Sequence, residues 1–109
     1  MIIRVIHAKV RPGRQSDFKK TLEMLVLPEA QRRTGMIAFY PGQPLGPNSE
    51  EFILVTVWKD QAALDSVRGS WTKAVIPQEA MPLLADWHVE GYKSFGVHDQ
   101  DTKPLFQNI

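Results

Sequence analysis

Cysteine is absent from this sequence of 109 residues. The chain therefore has no disulfide framework, no thiolate metal site and no thiol nucleophile. It also lacks any apolar run near the ~18 residues that a membrane helix needs. The opening segment, MIIRVIHAKVRPG, interrupts its apolar residues with Arg4, His7 and Lys9, whereas a signal peptide needs an unbroken apolar core. We expect a soluble, cytoplasmic protein.

An excess of one sign of charge is also missing. The chain has 13 basic and 12 acidic residues, so its net charge is only +1. Proteins that bind nucleic acid or anionic membranes usually display a strongly basic patch. The sequence contains no P-loop, no G-x-G-x-x-G and no G-x-S-x-G motif. We therefore expect neither a nucleic acid partner nor a membrane partner, and no nucleotide site of these types.

Apolar periodicity predicts six elements along the chain. Strands are expected over residues 2–11, 35–44, 51–59 and 86–97, and helices over residues 14–34, 61–67 and 71–76, the last two forming one helical region. In the first helix, Phe18, Leu22 and Leu25 form the apolar stripe, Ser16 or Asp17 is the expected N-cap, and a break is expected at residue 28, a proline. Asp60 is expected to cap the second helical region. The order βαββαβ predicts an α+β, ferredoxin-like fold with a four-stranded antiparallel sheet and both helices on one face.

Both faces of this sheet are predicted to be apolar. In the third strand, Phe52, Leu54, Thr56 and Trp58 alternate with Ile53, Val55 and Val57. Two helices cover only one face, and each large side chain left exposed on the other costs roughly 1.5–3 kcal/mol. We expect a homodimer that packs sheet face against sheet face. The alternative is that the C-terminal tail covers a shallow patch.

Residues Met1 to about Val97 resemble the antibiotic biosynthesis monooxygenase superfamily. The resemblance lies in MIIRV followed by Pro12-Gly13, in Gly35, in FILVTVWKDQAAL, and in KAVIPQEAMPLLADWHVEGYKSF. It implies a domain over residues 1–97 with a tail over residues 98–109, a dimeric α+β barrel, and a pocket between each sheet and its helices. It is closest to small bacterial members of mostly unassigned function. Characterised members include monooxygenases that oxidise aromatic polyketides or quinols without metal or flavin, and others that degrade haem.

The chain departs from the family pattern at Val67, at Pro77 and on the first strand, where the asparagine of the haem-degrading members falls near Ile6 or His7 and neither is asparagine. Many members have a histidine nine residues after the tryptophan that ends the strand, and here that residue is Val67. The histidine of the haem-degrading members corresponds to Pro77, so haem degradation is not expected, and an axial ligand would have to be His7 or His88. The resemblance then implies a protein that binds a small ligand in a pocket. The activity it implies is that of a monooxygenase that needs no cofactor and acts on an aromatic or quinol-type compound. The alternative is a non-catalytic dimeric ligand-binding or interaction module of the same fold.

Three residues are candidates for catalysis: His7 on the first strand and His88 and Tyr92 on the fourth. Cofactor-free oxygenation needs a group that accepts or stabilises a proton, and histidine and tyrosine suit that role. The first and fourth strands are neighbours in this fold, so His7 is expected near His88 or Tyr92 if the register places them on one side. The alternative is that each is an ordinary strand residue. Because the three histidines form no H-x-x-x-H pair, we predict no metal site.

Aromatic residues are candidates for the walls of a ligand pocket. Trp58, Trp71, Phe39 and Tyr40 suit a small aromatic or hydrophobic ligand. The alternative is core packing, which we favour for Trp58, because a ring at the end of a strand can close the seam between sheet and helices. Trp71 is the better candidate for a ligand contact.

Overall fold

A four-stranded antiparallel sheet is the framework of this protein in a computed structural model, which describes residues 1–26, 28, 35–46, 50–66, 76 and 78–96. The strands are β1 (Ile2–Val10), β2 (Met36–Gly42), β3 (Glu51–Trp58) and β4 (Leu84–Lys93). They lie in the order β2-β3-β1-β4, with every neighbouring pair antiparallel. This is the predicted ferredoxin-like arrangement.

The first helical segment packs on one face of the sheet. Helix α1 (Gln15–Thr21) continues directly into a π-helix (Leu22–Val26). The Phe18 ring meets the Phe52 ring of β3 edge to face, with centroids 5.2 Å apart. Phe18, Leu22 and Val26 are buried together with apolar residues of β1 and β3, so this segment forms one wall of the core.

The π-helix changes the predicted apolar stripe of this segment. Leu25 was expected to face the core, but it is 44% exposed and Val26 is buried in its place. A π-helix closes i→i+5 hydrogen bonds and so holds more residues per turn than an α-helix, which shifts the inward position by one.

The predicted N-cap of the first helix was also wrong. The helix begins at Gln15 after Arg14, which makes no capping bond with its side chain, and Asp17 instead accepts a bond from Arg14 Nε at 2.9 Å.

The second helical region begins as the sequence predicts. Helix α2 (Gln61–Asp65) is capped by Asp60, whose Oδ1 accepts the backbone N–H of Ala63 at 2.8 Å. A 3₁₀-helix (Gln78–Leu83) leads into β4. The helix predicted over residues 71–76, the part of the first predicted helix that follows residue 28 and the tail over residues 98–109 lie largely or wholly outside the described residues.

Strand β4 begins earlier and ends earlier than predicted. It begins at Leu84 because Leu84 pairs with Val10 across a bulge in the ladder with β1. It ends at Lys93 because its partner strand ends there: Lys93 pairs with Ile2, and the last bond runs from the Ser94 N–H to the Met1 carbonyl at 2.9 Å. The pairing partner, rather than the local sequence, sets both ends.

The two faces of the sheet differ in what covers them. The helix face contributes Ile6, Leu54, Thr56 and Trp58 to the core, all fully buried. The opposite face, called the open face below, is not covered by any helix among the described residues. Its side chains include Ile3, Val5, His7, Lys9, Tyr40, Glu51, Ile53, Val55, Val57, Asp86, His88, Glu90 and Tyr92. None of the described helices is long and apolar enough to span a bilayer.

Candidate functional site

A cleft of about 280 Å³ lies between the first helical segment and the end of strands β2 and β3. Leu22 and Phe52, both buried residues of the core, supply its apolar floor. The remaining lining residues are Lys19, Glu23, Pro41, Gly42 and Gln43. An apolar floor with a few polar groups at the rim is the usual composition of a small-molecule site.

The π-helix forms one side of this cleft. Leu22 and Glu23, its first two residues, both line the cleft. Single π-helical turns inside α-helices occur frequently at functional sites. Lys19 and Glu23 are four residues apart on this segment, so a cation and an anion stand side by side at the rim.

A second group of polar residues lies on the open face, and we call it the histidine cluster: His7, His88, Glu90, Tyr92 and Glu51. His7 on β1 is paired directly with His88 on β4. Their rings stack, with centroids 4.4 Å apart and planes within 4° of each other. The register therefore brings two of the candidate catalytic residues into contact.

Carboxylates surround the His7 ring on both sides. Its Nδ1 lies 2.9 Å from Glu51 Oε1 and its Nε2 lies 2.7 Å from Glu90 Oε1. A carboxylate only accepts hydrogen bonds, so a neutral His7 ring can donate to one of the two carboxylates and a protonated ring to both. His88 Nε2 lies 3.4 Å from the same Glu90 oxygen.

Tyr92 holds the far side of the Glu90 carboxylate. Its hydroxyl donates to Glu90 Oε2 at 2.7 Å. This bond is the main reason why the pKa of Glu90 is lowered from its usual value, with smaller contributions from His7 and His88. The same bond raises the pKa of Tyr92, because ionising the hydroxyl would break it and place two anions together.

The aromatic residues that were predicted to line a ligand pocket do not lie together around one cavity among the described residues. Trp58 is fully buried in the core, and Phe39 on the same face packs against the core cluster. Tyr40 lies on the open face and is 63% exposed. Trp71 lies outside the described residues. Neither Trp58 nor Phe39 nor Tyr40 lines the 280 Å³ cleft, and that cleft has no histidine among its described lining residues.

Sequence reasoning missed the residues that do line the cleft, and it missed both carboxylates of the histidine cluster. Leu22 had been assigned to the core stripe, which is also correct. Glu90 lies between His88 and Tyr92 in the sequence at alternate positions, so strand periodicity alone places it on their face. Glu51 reaches His7 only through the β1–β3 register, for which the sequence contains no local signal.

Comparison with known proteins agrees with this architecture. A family model described as antibiotic biosynthesis monooxygenase matches residues 1–74. No curated protein sequence matches the chain.

Several solved structures share the fold. A protein from Nitrosomonas europaea, assigned by name to the antibiotic biosynthesis monooxygenases, has a TM-score of 0.73 at 15% identity, over 88% of this chain and 100% of that one. The haem degrader MhuD from Mycobacterium tuberculosis, with two haems bound in its active site, has a TM-score of 0.71 at 15% identity, over 91% and 100%. A conserved protein from Methanosarcina mazei Go1 has a TM-score of 0.67 at 25% identity, over 85% and 92%.

Proposed function

We propose that this chain, which belongs to the antibiotic biosynthesis monooxygenase family, binds a small, flat ligand in the cleft between its first helical segment and the β2–β3 end of the sheet. The observation that supports this most directly is the cleft itself, with Leu22 and Phe52 as its floor and charged side chains at its rim. The ligand's apolar body lies on the floor, and its polar group meets Lys19 or Glu23.

The size of the cleft limits the ligand. A volume of about 280 Å³ falls just below the roughly 300–1,000 Å³ typical of ligand pockets. We therefore propose that the ligand of this cleft has a single ring or two fused rings and carries a hydroxyl or acidic group. Its described lining residues contain no imidazole to bind a haem iron. The haem degrader with the same fold thus does not define the ligand of this cleft.

A second copy of the chain is the proposed cover of the open face. Ile53 is 38% exposed and Tyr40 63% exposed, and Ile3, Val5, Val55 and Val57 around them are only partly buried. An apolar patch of this extent usually marks an interface. A two-fold dimer buries it with the same surface, because the patch then faces itself.

Oxygenation of an aromatic or quinol-type compound is the second candidate function, and the histidine cluster favours it. A hydroquinone such as 1,4-dihydroxynaphthalene reacts with O₂ to give 2-hydroxy-1,4-naphthoquinone and water. One oxygen atom enters the ring, and the other leaves as water with two hydrogens from the substrate, which supplies all the electrons. The protein's part is to hold the substrate and accept a proton, for which His7 and His88 are the candidates, with Tyr92 orienting the Glu90 carboxylate beside them.

In the proposed dimer the histidine cluster lies between the two sheets, away from bulk water. The two candidate functions therefore use different places. A ligand in the cleft meets the helix side of the sheet, whereas a substrate for oxygenation meets the open face.

A pair of tryptophan substitutions tests the cleft. Gln43 lines the cleft and is exposed, so Gln43→Trp fills the site without disturbing the core. Leu45, two residues further on, is fully exposed and does not line the cleft, so Leu45→Trp is the matched control. With a panel of phenols, naphthols and dihydroxynaphthalenes, we expect calorimetric binding to the wild type and to Leu45→Trp, and at least tenfold weaker binding to Gln43→Trp. Equal binding by all three, or no binding of the panel to the wild type, would overturn the proposal.

Oxygen consumption tests the second candidate. With 1,4-dihydroxynaphthalene, the wild type should take up oxygen faster than the spontaneous rate, with or without EDTA, and His88→Asn should lower that excess at least tenfold. An uptake equal to the spontaneous rate leaves the chain as a ligand-binding module.

A further inference from the structure

Two histidines and one carboxylate converge on the open face in the arrangement of a metal site. One ligand atom from each of His7, His88 and Glu90 lies within 4.8 Å of the others. From this geometry we infer that the histidine cluster binds a divalent transition-metal ion through the Nε2 atoms of His7 and His88 and Oε1 of Glu90. This site is separate from the ligand cleft. It uses the residues of the oxygenation candidate, and an ion bound at both Nε2 atoms would occupy the lone pairs that accept a proton there, so the two uses of the cluster exclude each other.

The donor separations fit a single small ion. Two donors bound at about 2.0–2.1 Å to one metal lie about 3–3.4 Å apart in octahedral or tetrahedral geometry. Glu90 Oε1 is 2.7 Å from His7 Nε2, slightly below that range, and 3.4 Å from His88 Nε2, at its upper end. The lone pair of an imidazole nitrogen lies in the ring plane, and the two planes are parallel in the stack. The His88 ring, which is 60% exposed, must therefore turn out of the stack to bring its Nε2 to an ion held by His7 and Glu90.

The second nitrogen of His7 is held as metal-binding histidines usually are. Its Nδ1 lies 2.9 Å from Glu51 Oε1, so the Nδ1–H is committed to a carboxylate. With an ion between Nε2 and Glu90, such a partner would keep the proton on Nδ1, orient the ring and make Nε2 a better donor to the metal. The described structure thus contains the carboxylate–histidine half of a carboxylate–histidine–metal arrangement.

The Glu90 carboxylate is also supported. Its Oε2 accepts the Tyr92 hydroxyl at 2.7 Å, which leaves Oε1 directed at the two histidines. Carboxylates that ligate metals are commonly held by such a second hydrogen bond. Glu51 and Tyr92 thus each restrain one member of the cluster from the side away from the proposed ion.

The donor types indicate the class of metal. Two imidazoles and one carboxylate suit zinc, iron(II), cobalt(II), nickel(II) or copper(II), whereas magnesium and calcium prefer sites made of oxygen atoms alone. Three protein ligands leave at least one position open for water or a ligand atom. The ligands lie on two paired strands, His7 on β1 opposite His88 on β4, so the sheet ladder holds their backbones in place.

This inference reverses the expectation from the sequence. Metal binding was not predicted because the histidines are dispersed and form no helical pair. The three ligands come together through the strand register rather than through their spacing in the sequence. His7 pairs with His88, and Glu90 follows His88 by two residues on the same face.

The test uses the full chain without an oligohistidine tag, titrated with zinc chloride by calorimetry and with cobalt(II) by visible absorption. We expect saturation at one ion per chain and a cobalt spectrum typical of nitrogen and oxygen ligands. His7→Asn, His88→Asn and Glu90→Gln should each weaken binding at least tenfold. Glu79→Gln, at an exposed position of the 3₁₀-helix, is the matched control and should bind as the wild type does. Circular dichroism checks that each variant is folded.

Glu51→Gln separates a supported metal site from chance binding by surface histidines. This substitution replaces none of the proposed ligands but changes the partner of His7 Nδ1, and loss of such a partner typically weakens metal binding about 10–100-fold. The inference is overturned if the wild type shows no saturable binding, if His88→Asn binds as tightly as the wild type, or if Glu51→Gln leaves the affinity unchanged. Because none of these residues lines the cleft, failure here leaves the ligand proposal intact.

Discussion

The indole N–H of Trp58 donates a hydrogen bond to Thr56 Oγ1 at 2.9 Å, and both residues are fully buried. Thr56 Oγ1 in turn lies 3.4 Å from the Arg4 carbonyl on the neighbouring strand. The two side chains share the helix face because they are two residues apart on β3. A tryptophan can therefore end this strand inside the core, since its one polar atom has a partner on the same strand.

Thr56→Val should destabilise the protein by about 1–3 kcal/mol, because it leaves the buried indole N–H without an acceptor. Urea unfolding measures the change. In a Trp58→Phe background the same substitution should cost at least about 1 kcal/mol less, since no N–H is then left unpaired. Equal costs in both backgrounds would show that the hydrogen bond contributes nothing.

Gly35→Ala should be much more destabilising than Gly13→Ala. Both glycines have positive φ, 87° and 79°, which costs an alanine about 1–2 kcal/mol. At Gly35 the added Cβ would also lie 2.6 Å from Ala63 Cβ, whereas at Gly13 it would meet no described atom within 4 Å. Thermal unfolding of the two variants measures the difference, and equal melting temperatures would contradict the close approach of the segment before β2 to helix α2.

Val55→Lys should convert the proposed dimer into a monomer, because it places a charge in the middle of the apolar open face. Met24→Lys adds the same charge at a residue that is 67% exposed on the first helical segment, and it should leave the dimer unchanged. Sedimentation equilibrium distinguishes the 12.4 kDa chain from a species of twice that mass. A wild-type chain that sediments as a monomer at high concentration would remove the dimer from this account.

Glu90→Gln should lower the pKa of Tyr92 toward the ordinary value for tyrosine, because the hydrogen bond to Glu90 is the main cause of its raised pKa. The sequence has two tyrosines, so a Tyr40→Phe background isolates the ultraviolet absorption of Tyr92. Glu51→Gln is the control, because Glu51 contacts His7 rather than Tyr92. An unchanged titration in Glu90→Gln would mean that the bond does not form in solution.

Strand alternation and turn chemistry predicted most of the fold. The alternation in EFILVTVW identified the two faces of β3, and Asp60 before a small, alanine-rich segment identified the start of helix α2. These features depend on neighbouring residues, so the sequence contains their causes. The ends of β4 were missed because the partner strand sets them.

The candidate sites were harder to predict because they depend on distant pairings. His7, Glu51 and Glu90 meet only because β1 lies between β3 and β4 in one particular register. The π-helix that forms one side of the cleft has no periodic signature, and an α-helical pattern placed Leu25 inward where Val26 lies. The aromatic residues were predicted to line the ligand pocket, whereas Leu22 and Phe52 form the floor of the cleft.

Amide chemical-shift mapping by two-dimensional NMR locates the bound ligand and so tests whether it lies on the helix side of the sheet. Uniformly ¹⁵N-labelled protein would be titrated with the tightest-binding naphthol of the panel. We predict saturable shifts of the amide signals of Lys19, Leu22, Gln43 and Phe52, because these residues line the cleft. An absence of shifts, or shifts confined to His7, His88 and Tyr92 on the open face, would contradict the account.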